Sequence, residues 1–262
     1  MKLDIEDNSA LVLASTSGLG KASAKALAEE GVNVTINGRN ETRLEEAVDE
    51  LNKEVRGEVK GVIGDITKTD DIERLVEKTV KEQNGLDHLV TCAGGPPSKS
   101  FIDTDDGEWY ESFDLLVMSV VRSVRESVKY LKEGEGTIVN ITSMSVKEAV
   151  PNLVLSNSIR MSVIGLMKTL SKELGPEIRA NSVLPGPHKT GRIQELIEDE
   201  LERGNIETFD EGMENWTEDI PLNRIGKPIE LGKLVVFLSS PKSSFIDGAA
   251  IPIDGGGSSS NL

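Results

Sequence analysis

Cysteine occurs once in the 262 residues, as Cys92, so an internal disulfide is excluded and a reducing, cytoplasmic setting is expected. Basic residues are outnumbered: the formal charge is −16 at neutral pH. Nucleic acids and anionic membranes, which both require a basic face, are therefore not expected as partners. No apolar run reaches the length of a membrane span. The opening MKLDIEDNSALVLAS is broken by acids and does not read as a signal peptide. There is no repeat of the length that marks a solenoid. Nor does any Pro- or Ser-rich linker divide the chain, so residues 1–262 are read as one domain. No metal site is expected. The hydrophobic fraction of 37% is enough for one sizeable core.

Short apolar runs alternate with longer segments of helical period. Strands are predicted at Ser9–Ala14, Asn33–Asn37, Val59–Gly64, His88–Ala93, Thr137–Ile141, Ala180–Leu184 and Ala249–Ile253. Helices are predicted at Gly18–Glu30, Glu41–Val55, Asp71–Gln83, Asp106–Leu131, Ser156–Leu174 and Pro228–Ser239. This alternation gives an α/β fold: a Rossmann-like, doubly wound parallel sheet of about seven strands with helices on both faces. Ligands of such sheets lie beyond the carboxyl ends of the strands.

Directly after the first strand comes ASTSGLGKA, Ala14 to Ala22. Gly18 and Gly20, flanking Leu19, let the backbone approach a pyrophosphate at a helix N-terminus, and Ser15, Thr16 and Ser17 add hydroxyls nearby. The second strand ends NGRN. No acid stands there for a free ribose 2′-hydroxyl, whereas Arg39, beside Asn40, offers a guanidinium to a 2′-phosphate. NADP is the cofactor this favours, with NAD as the alternative.

These residues and those downstream resemble the short-chain dehydrogenase/reductase family, from about Ser9 to Gly256. The flavour is that of its 3-oxoacyl carrier protein reductase-like subgroup. ASTSGLG is similar to the family's glycine motif, with Ala14 where the first Gly usually stands. Gly64-Asp65-Ile66 resembles the turn at the adenine. TCAG resembles NNAG, which sets Cys92, Ala93 and Gly94 beside the cofactor. NITS resembles the strand that ends at the active-site Ser, here Ser143. NSVLPGPHKT resembles the loop over the nicotinamide, with Pro185, Gly186 and, at the carboxamide, Thr190. The resemblance implies an oxidoreductase acting on a small-molecule substrate.

The family's Asn–Ser–Tyr–Lys tetrad is altered at three positions. Leu116 stands at the Asn position, Ser156 at the Tyr position and Arg160 at the Lys position. Ser156 and Arg160, four residues apart, still share one helical face. A Ser hydroxyl is shorter than a phenol and a far weaker acid. Arg can hydrogen-bond a ribose but does not release its proton. Two routes could return the proton: a water held by Ser143 and Ser156, or the imidazole of His188. The bland alternative for His188 is a loop position acting through its backbone, its ring in solvent. Tyr110 is the phenol placed to reach the substrate side, and His88 is read as structural.

After the cofactor loop, Gln194–Asp219 holds eleven acids and one base, Arg203. With Leu196, Ile197, Leu201, Ile206, Phe209, Met213 and Trp216 it resembles a substrate lid at about residues 191–220. Its charge disfavours anionic substrates, unless it is only a solvated face. The first expectation is therefore an NADP-preferring oxidoreductase of a neutral carbonyl or alcohol. The second is a non-catalytic dinucleotide sensor. A dehydration or isomerisation on the same frame is a third reading that nothing specific supports. Apolar positions along Asp106–Leu131 and Ser156–Leu174 resemble helices that pair between subunits, so a homo-dimer or homo-tetramer is expected.

Overall fold

The β-branched and Leu-rich runs form one parallel sheet. The computed structural model describes residues 2–132 and 135–261. Its strands are β1 (Ser9–Val12), β2 (Asn33–Gly38), β3 (Val59–Ile63), β4 (His88–Thr91), β5 (Gly136–Ile141), β6 (Ile178–Pro185) and β7 (Ala250–Ile253). Their order is β3-β2-β1-β4-β5-β6-β7. The order reverses at β1, which pairs with β2 on one side (Ala10 opposite Val34) and with β4 on the other (Ala10 opposite His88). The crevice between the carboxyl ends of β1 and β4 is therefore the switch point of the fold.

The helices are α1 (Gly18–Glu29), α2 (Glu41–Asn52), α3 (Thr69–Gln83), α4 (Asp106–Phe113), α5 (Ser119–Leu131), α6 (Val154–Leu174), α7 (Gly191–Glu202), α8 (Phe209–Glu218) and α9 (Pro228–Ser239). Strand side chains alternate between two cores, as the pleat requires. Ala10 and Val12 join Leu27 of α1, Leu44 of α2 and Val235 of α9. Leu11 joins Leu75 of α3, Val120 of α5 and Ile159 of α6 on the opposite face. A third, smaller cluster ties α7 to α8 through Ile197, Leu201, Ile206, Met213 and Trp216.

Three boundaries differ from the pattern read in the sequence. The apolar period of 106–131 does not show a break, yet a π-helical turn at Asp114–Met118 separates α4 from α5. Leu116 sits in that turn and points into the second core, 3% exposed. The acidic segment forms two helices, because Gly204 and Asn205 interrupt the period between them. Helix α6 begins at Val154, which places Ser156 in its first turn. Among the described residues, no helix is long and apolar enough to cross a membrane.

Candidate functional site

The turn after β1 is fixed by two polar side chains buried in the fold. Ala14 takes a left-handed conformation, φ 46°, at a position where glycine would be unstrained. Ser15 turns inward: its hydroxyl donates to the Val12 carbonyl (2.5 Å) and accepts from the Asn37 N–H (3.0 Å). Asn37 accepts from the Ala14 N–H (3.2 Å) and donates to the carbonyls of Val62 (3.3 Å) and Gly64 (2.9 Å). One amide thus ties the ends of β2 and β3 to the glycine turn. Asn37 is missing from the sequence-based site; its only signal was a polar residue at a strand position facing the core.

Helix α1 then opens on a cavity of about 410 Å³. Gly20 has no alternative there, because a Cβ would stand 2.6 Å from the Ala14 carbonyl oxygen. Ser17, the residue before the helix, makes no side-chain cap bond, and the first turn carries no acid. Its amides therefore face the cavity without a protein anion to compete. Thr190 approaches from the opposite wall, its methyl 3.8 Å from where a Gly18 Cβ would lie. An elongated pyrophosphate-bearing ligand fits this cradle.

Of the residues expected from the sequence, Ser17, Gly18, Leu19, Gly20, Cys92, Ala93, Gly94, Ser143, Ser156, Arg160, Pro185, Gly186, His188 and Thr190 line the cavity. Six do not. Ser15 is committed internally. Thr16 packs over Gly38, its methyl within 2.4 Å of a Cβ there. Arg39 and Asn40 are exposed beyond β2, and Asn40 caps α2 by accepting from the Arg43 N–H at 2.9 Å. Asp65 accepts from the N–H (2.9 Å) and hydroxyl (2.8 Å) of Thr67. Ile66 belongs to the second core.

Beyond the strand ends the cavity holds a connected polar array. Arg160, 8% exposed, donates from Nε to the Ser156 hydroxyl (3.1 Å) and from Nη2 to the Gly94 carbonyl (3.5 Å). Ser156 and Ser145 hydroxyls are 3.1 Å apart. The Ser145 N–H donates to the Ser143 hydroxyl at 3.1 Å. The sequence does not single out Ser145, since only the first Ser of the SMS triplet matches a motif. Burial draws the Arg160 guanidinium down to about 10, with Cys92 acting to raise it and Arg192 to lower it further. Burial also pushes the Cys92 thiol up to about 11, so it stays protonated and unreactive at neutral pH.

The His188 ring is buried rather than solvent-facing, 4% exposed. It lies over Gly226, 2.7 Å from where a Cβ there would stand. Its Nδ1 meets the Gly186 carbonyl at 2.9 Å; since a carbonyl only accepts, that nitrogen carries the proton. Nε2 is buried without a partner, and burial lowers the imidazole's pKa. Tyr110 is 75% exposed and lies outside the cavity lining.

Two arginines hold α7 against the loop after β4. Arg192 donates to the Pro96 carbonyl (2.8 Å) and crosses Gly95 so closely that a Cβ would meet its Nε at 2.6 Å. Arg203 donates to the Ser98 carbonyl at 2.6 Å. Arg192 also lines the cavity, with Glu195 3.3 Å from its Nη1.

A switch-point crevice, an acid-free helix N-terminus and a buried cation among hydroxyls define a dinucleotide-dependent oxidoreductase frame. Known proteins agree with it. Residues 13–258 match the family model described as enoyl-(acyl carrier protein) reductase. The chain is 32% identical over 261 residues to the uncharacterized oxidoreductase YvrD of Bacillus subtilis, covering 98% of each chain. L-sorbose reductase of Gluconobacter frateurii, solved with NADPH and L-sorbose, superposes with a TM-score of 0.93 at 26% identity over 99% of this chain and 100% of that one. An NADPH-bound short-chain oxidoreductase of Pseudomonas aeruginosa, described as containing an atypical catalytic center, has a TM-score of 0.86 at 26% identity over 97% of this chain and 98% of that one. The chain belongs to the short-chain dehydrogenase/reductase family of NAD(P)-dependent oxidoreductases.

Proposed function

We propose that the protein interconverts a neutral carbonyl compound and its alcohol with NADP(H), using Ser143, Ser156 and Arg160 where the family has a phenol and an ammonium. The observation that carries this reading is the array of hydroxyls joined to a buried guanidinium, facing the same cavity as the glycine turn. NADPH, when bound, supplies a hydride to the carbonyl carbon. The amides of Gly18 to Gly20 hold its pyrophosphate and Arg39 takes the 2′-phosphate, supported by the NADPH carried by the sorbose reductase and the Pseudomonas enzyme.

The substrate oxygen needs a donor. Ser143 receives its hydrogen bond from the Ser145 amide, which leaves the Ser143 O–H free to point at that oxygen. Ser156 accepts from the Arg160 cation, so its own O–H is polarised and becomes a better donor than an isolated Ser. A water between these two hydroxyls then gives its proton to the substrate oxygen across the space a phenol would fill, and takes a replacement proton from solvent. His188 is the weaker donor, since its one proton is already given to Gly186. The residues 191–220 act as the lid, and their acids favour an uncharged substrate. The lone Cys92 supports a reducing, cytoplasmic setting, and a homo-dimer or homo-tetramer is supported by the exposed Tyr110, Phe113 and Met161 on the outer helices.

The absence of any phenol from the cavity lining favours one second reading, a dinucleotide sensor. Incubation with NADPH and a panel of ketones, aldehydes and sugars separates the two. Coenzyme oxidation that falls about 100-fold in kcat in Ser143→Ala supports the oxidoreductase. Absence of oxidation with the whole panel, or a Ser143→Ala enzyme as fast as the wild type, refutes it.

A further inference from the structure

A second cavity, of about 200 Å³, lies between α7, α8 and the loop before α6. It shares Val150, Leu153, Leu196 and Trp216 with the first, so the two cavities adjoin at these four side chains. Counted with those four, its lining is mainly apolar: Pro151, Ile197 and Ile206 add to them, while Ser98, Asn152, Glu200 and Asn215 form a polar rim. Apart from the exposed Asn215, its polar rim is bonded to itself. Glu200 accepts from Asn152 (3.4 Å), Arg203 (3.2 Å) and Asn205 (2.7 Å), and the Ser98 hydroxyl donates to the Asn152 carbonyl (3.3 Å). These groups do not await a polar ligand. A sugar placed there would lose its water and regain few hydrogen bonds, Asn215 being the one unbonded side chain at the rim, whereas an alkyl chain would lose nothing.

We propose that this cavity seats the apolar tail of the substrate, which is a medium-chain aliphatic ketone or secondary alcohol rather than a polyhydroxylated one. The proposal rests on the oxidoreductase reading above and assigns its substrate class. The reacting carbonyl lies among Ser143, Ser156 and Arg160, and the chain runs past Leu153 and Trp216. At roughly 30 Å³ per methylene-sized group, the cavity takes on the order of six carbons.

The test uses methyl ketones from 2-butanone to 2-decanone, and a ketohexose, with NADPH. Turnover is one readout. The other is Trp216 fluorescence in a Trp109→Phe background, which leaves a single indole. Apparent affinity and kcat/KM are expected to rise about fourfold per methylene, then level off once the cavity is full. Asn215→Phe, which fills the cavity from its rim, lowers the 2-octanone to 2-butanone ratio. Ile206→Ala moves the plateau to longer chains. A series flat in both readouts, or a ketohexose preferred over every ketone, overturns the proposal. Chain-length-dependent fluorescence without turnover keeps the tail site and overturns the oxidoreductase reading instead.

Discussion

Arg160 gives the sharpest test of what the polar array is for. Its guanidinium is buried, and among the described residues no carboxylate pairs with it; at neutral pH Cys92 beside it is an uncharged thiol, and the cation Arg192 disfavours its charge further. At about 1.4 kcal/mol per pH unit, the fall from the usual guanidinium value to about 10 represents roughly 3 kcal/mol spent on keeping it charged in the free protein. Its bond to Ser156 returns about 1.5–3 kcal/mol, and the 3.5 Å contact to Gly94 little. Arg160→Met is therefore expected to be neutral or to stabilise the ligand-free protein by up to ~2 kcal/mol. On a chain of this size that raises Tm by up to ~8 °C. Breaking a paired buried charge would instead cost about 3–5 kcal/mol. The group is charged in both folded and unfolded chains below about pH 10, so the difference between the two proteins stays flat from neutral to mildly alkaline pH. Thermal and urea melts of both ligand-free proteins measure this, and calorimetry with NADPH is expected to show at least ~10-fold weaker binding by the variant. A loss of more than ~2 kcal/mol in the ligand-free variant, or unchanged NADPH affinity, refutes the idea that this cation is held at a cost for a ligand.

Three further outcomes follow from individual groups. His88 is buried between Asn8 (3.0 Å) and Thr137 (2.8 Å), and burial lowers its pKa from 6.5 to about 4. The unfolded chain thus binds a proton below pH 6.5 that the folded one refuses until about 4, so stability is lost as pH falls through that window. Unfolding free energies of the wild type from urea melts should fall between those limits by ~3 kcal/mol more than those of His88→Gln; parallel curves would exclude His88 as the source. Gly95→Ala pushes Arg192 off Pro96 and should reproduce Arg192→Gln: cleavage of the α7–α8 segment by protease several-fold faster, with global stability changed by less than ~1 kcal/mol. Arg39→Asp should weaken NADPH binding on the order of 10- to 100-fold while leaving NADH binding intact or improved, as read by calorimetry; equal losses for both would remove Arg39 from the 2′-phosphate site.

The sheet was legible because each strand is a short apolar run bounded by turn residues, and both of its faces are buried. The glycine turn was legible for the same reason: backbone approach admits few residues, and Gly18 and Gly20 announce it. Side-chain geometry across elements was not. Nothing in DLLVM marks the π turn that directs Leu116 inward, since one extra residue in a helical turn leaves the composition unchanged. Ser145 and Asn37 act through bonds to partners 11 and 22 or more residues away, which no local spacing encodes. Arg192 looked like one more charge beside an acidic helix; only the fold shows it crossing Gly95. His188 was placed in the loop, but whether its ring meets solvent or Gly226 depends on a segment 38 residues further on.

The strand order has a consequence for the chain as it is made. β1 emerges first, yet its second neighbour, β4, follows 78 residues later. Until then one side of the central strand has open backbone groups and uncovered Leu and Val, the hazard of every slow parallel pairing. A nascent or truncated chain ending before His88 would lack the middle of its own sheet. Such a fragment is a substrate for chaperones and proteases, and not a smaller nucleotide-binding unit.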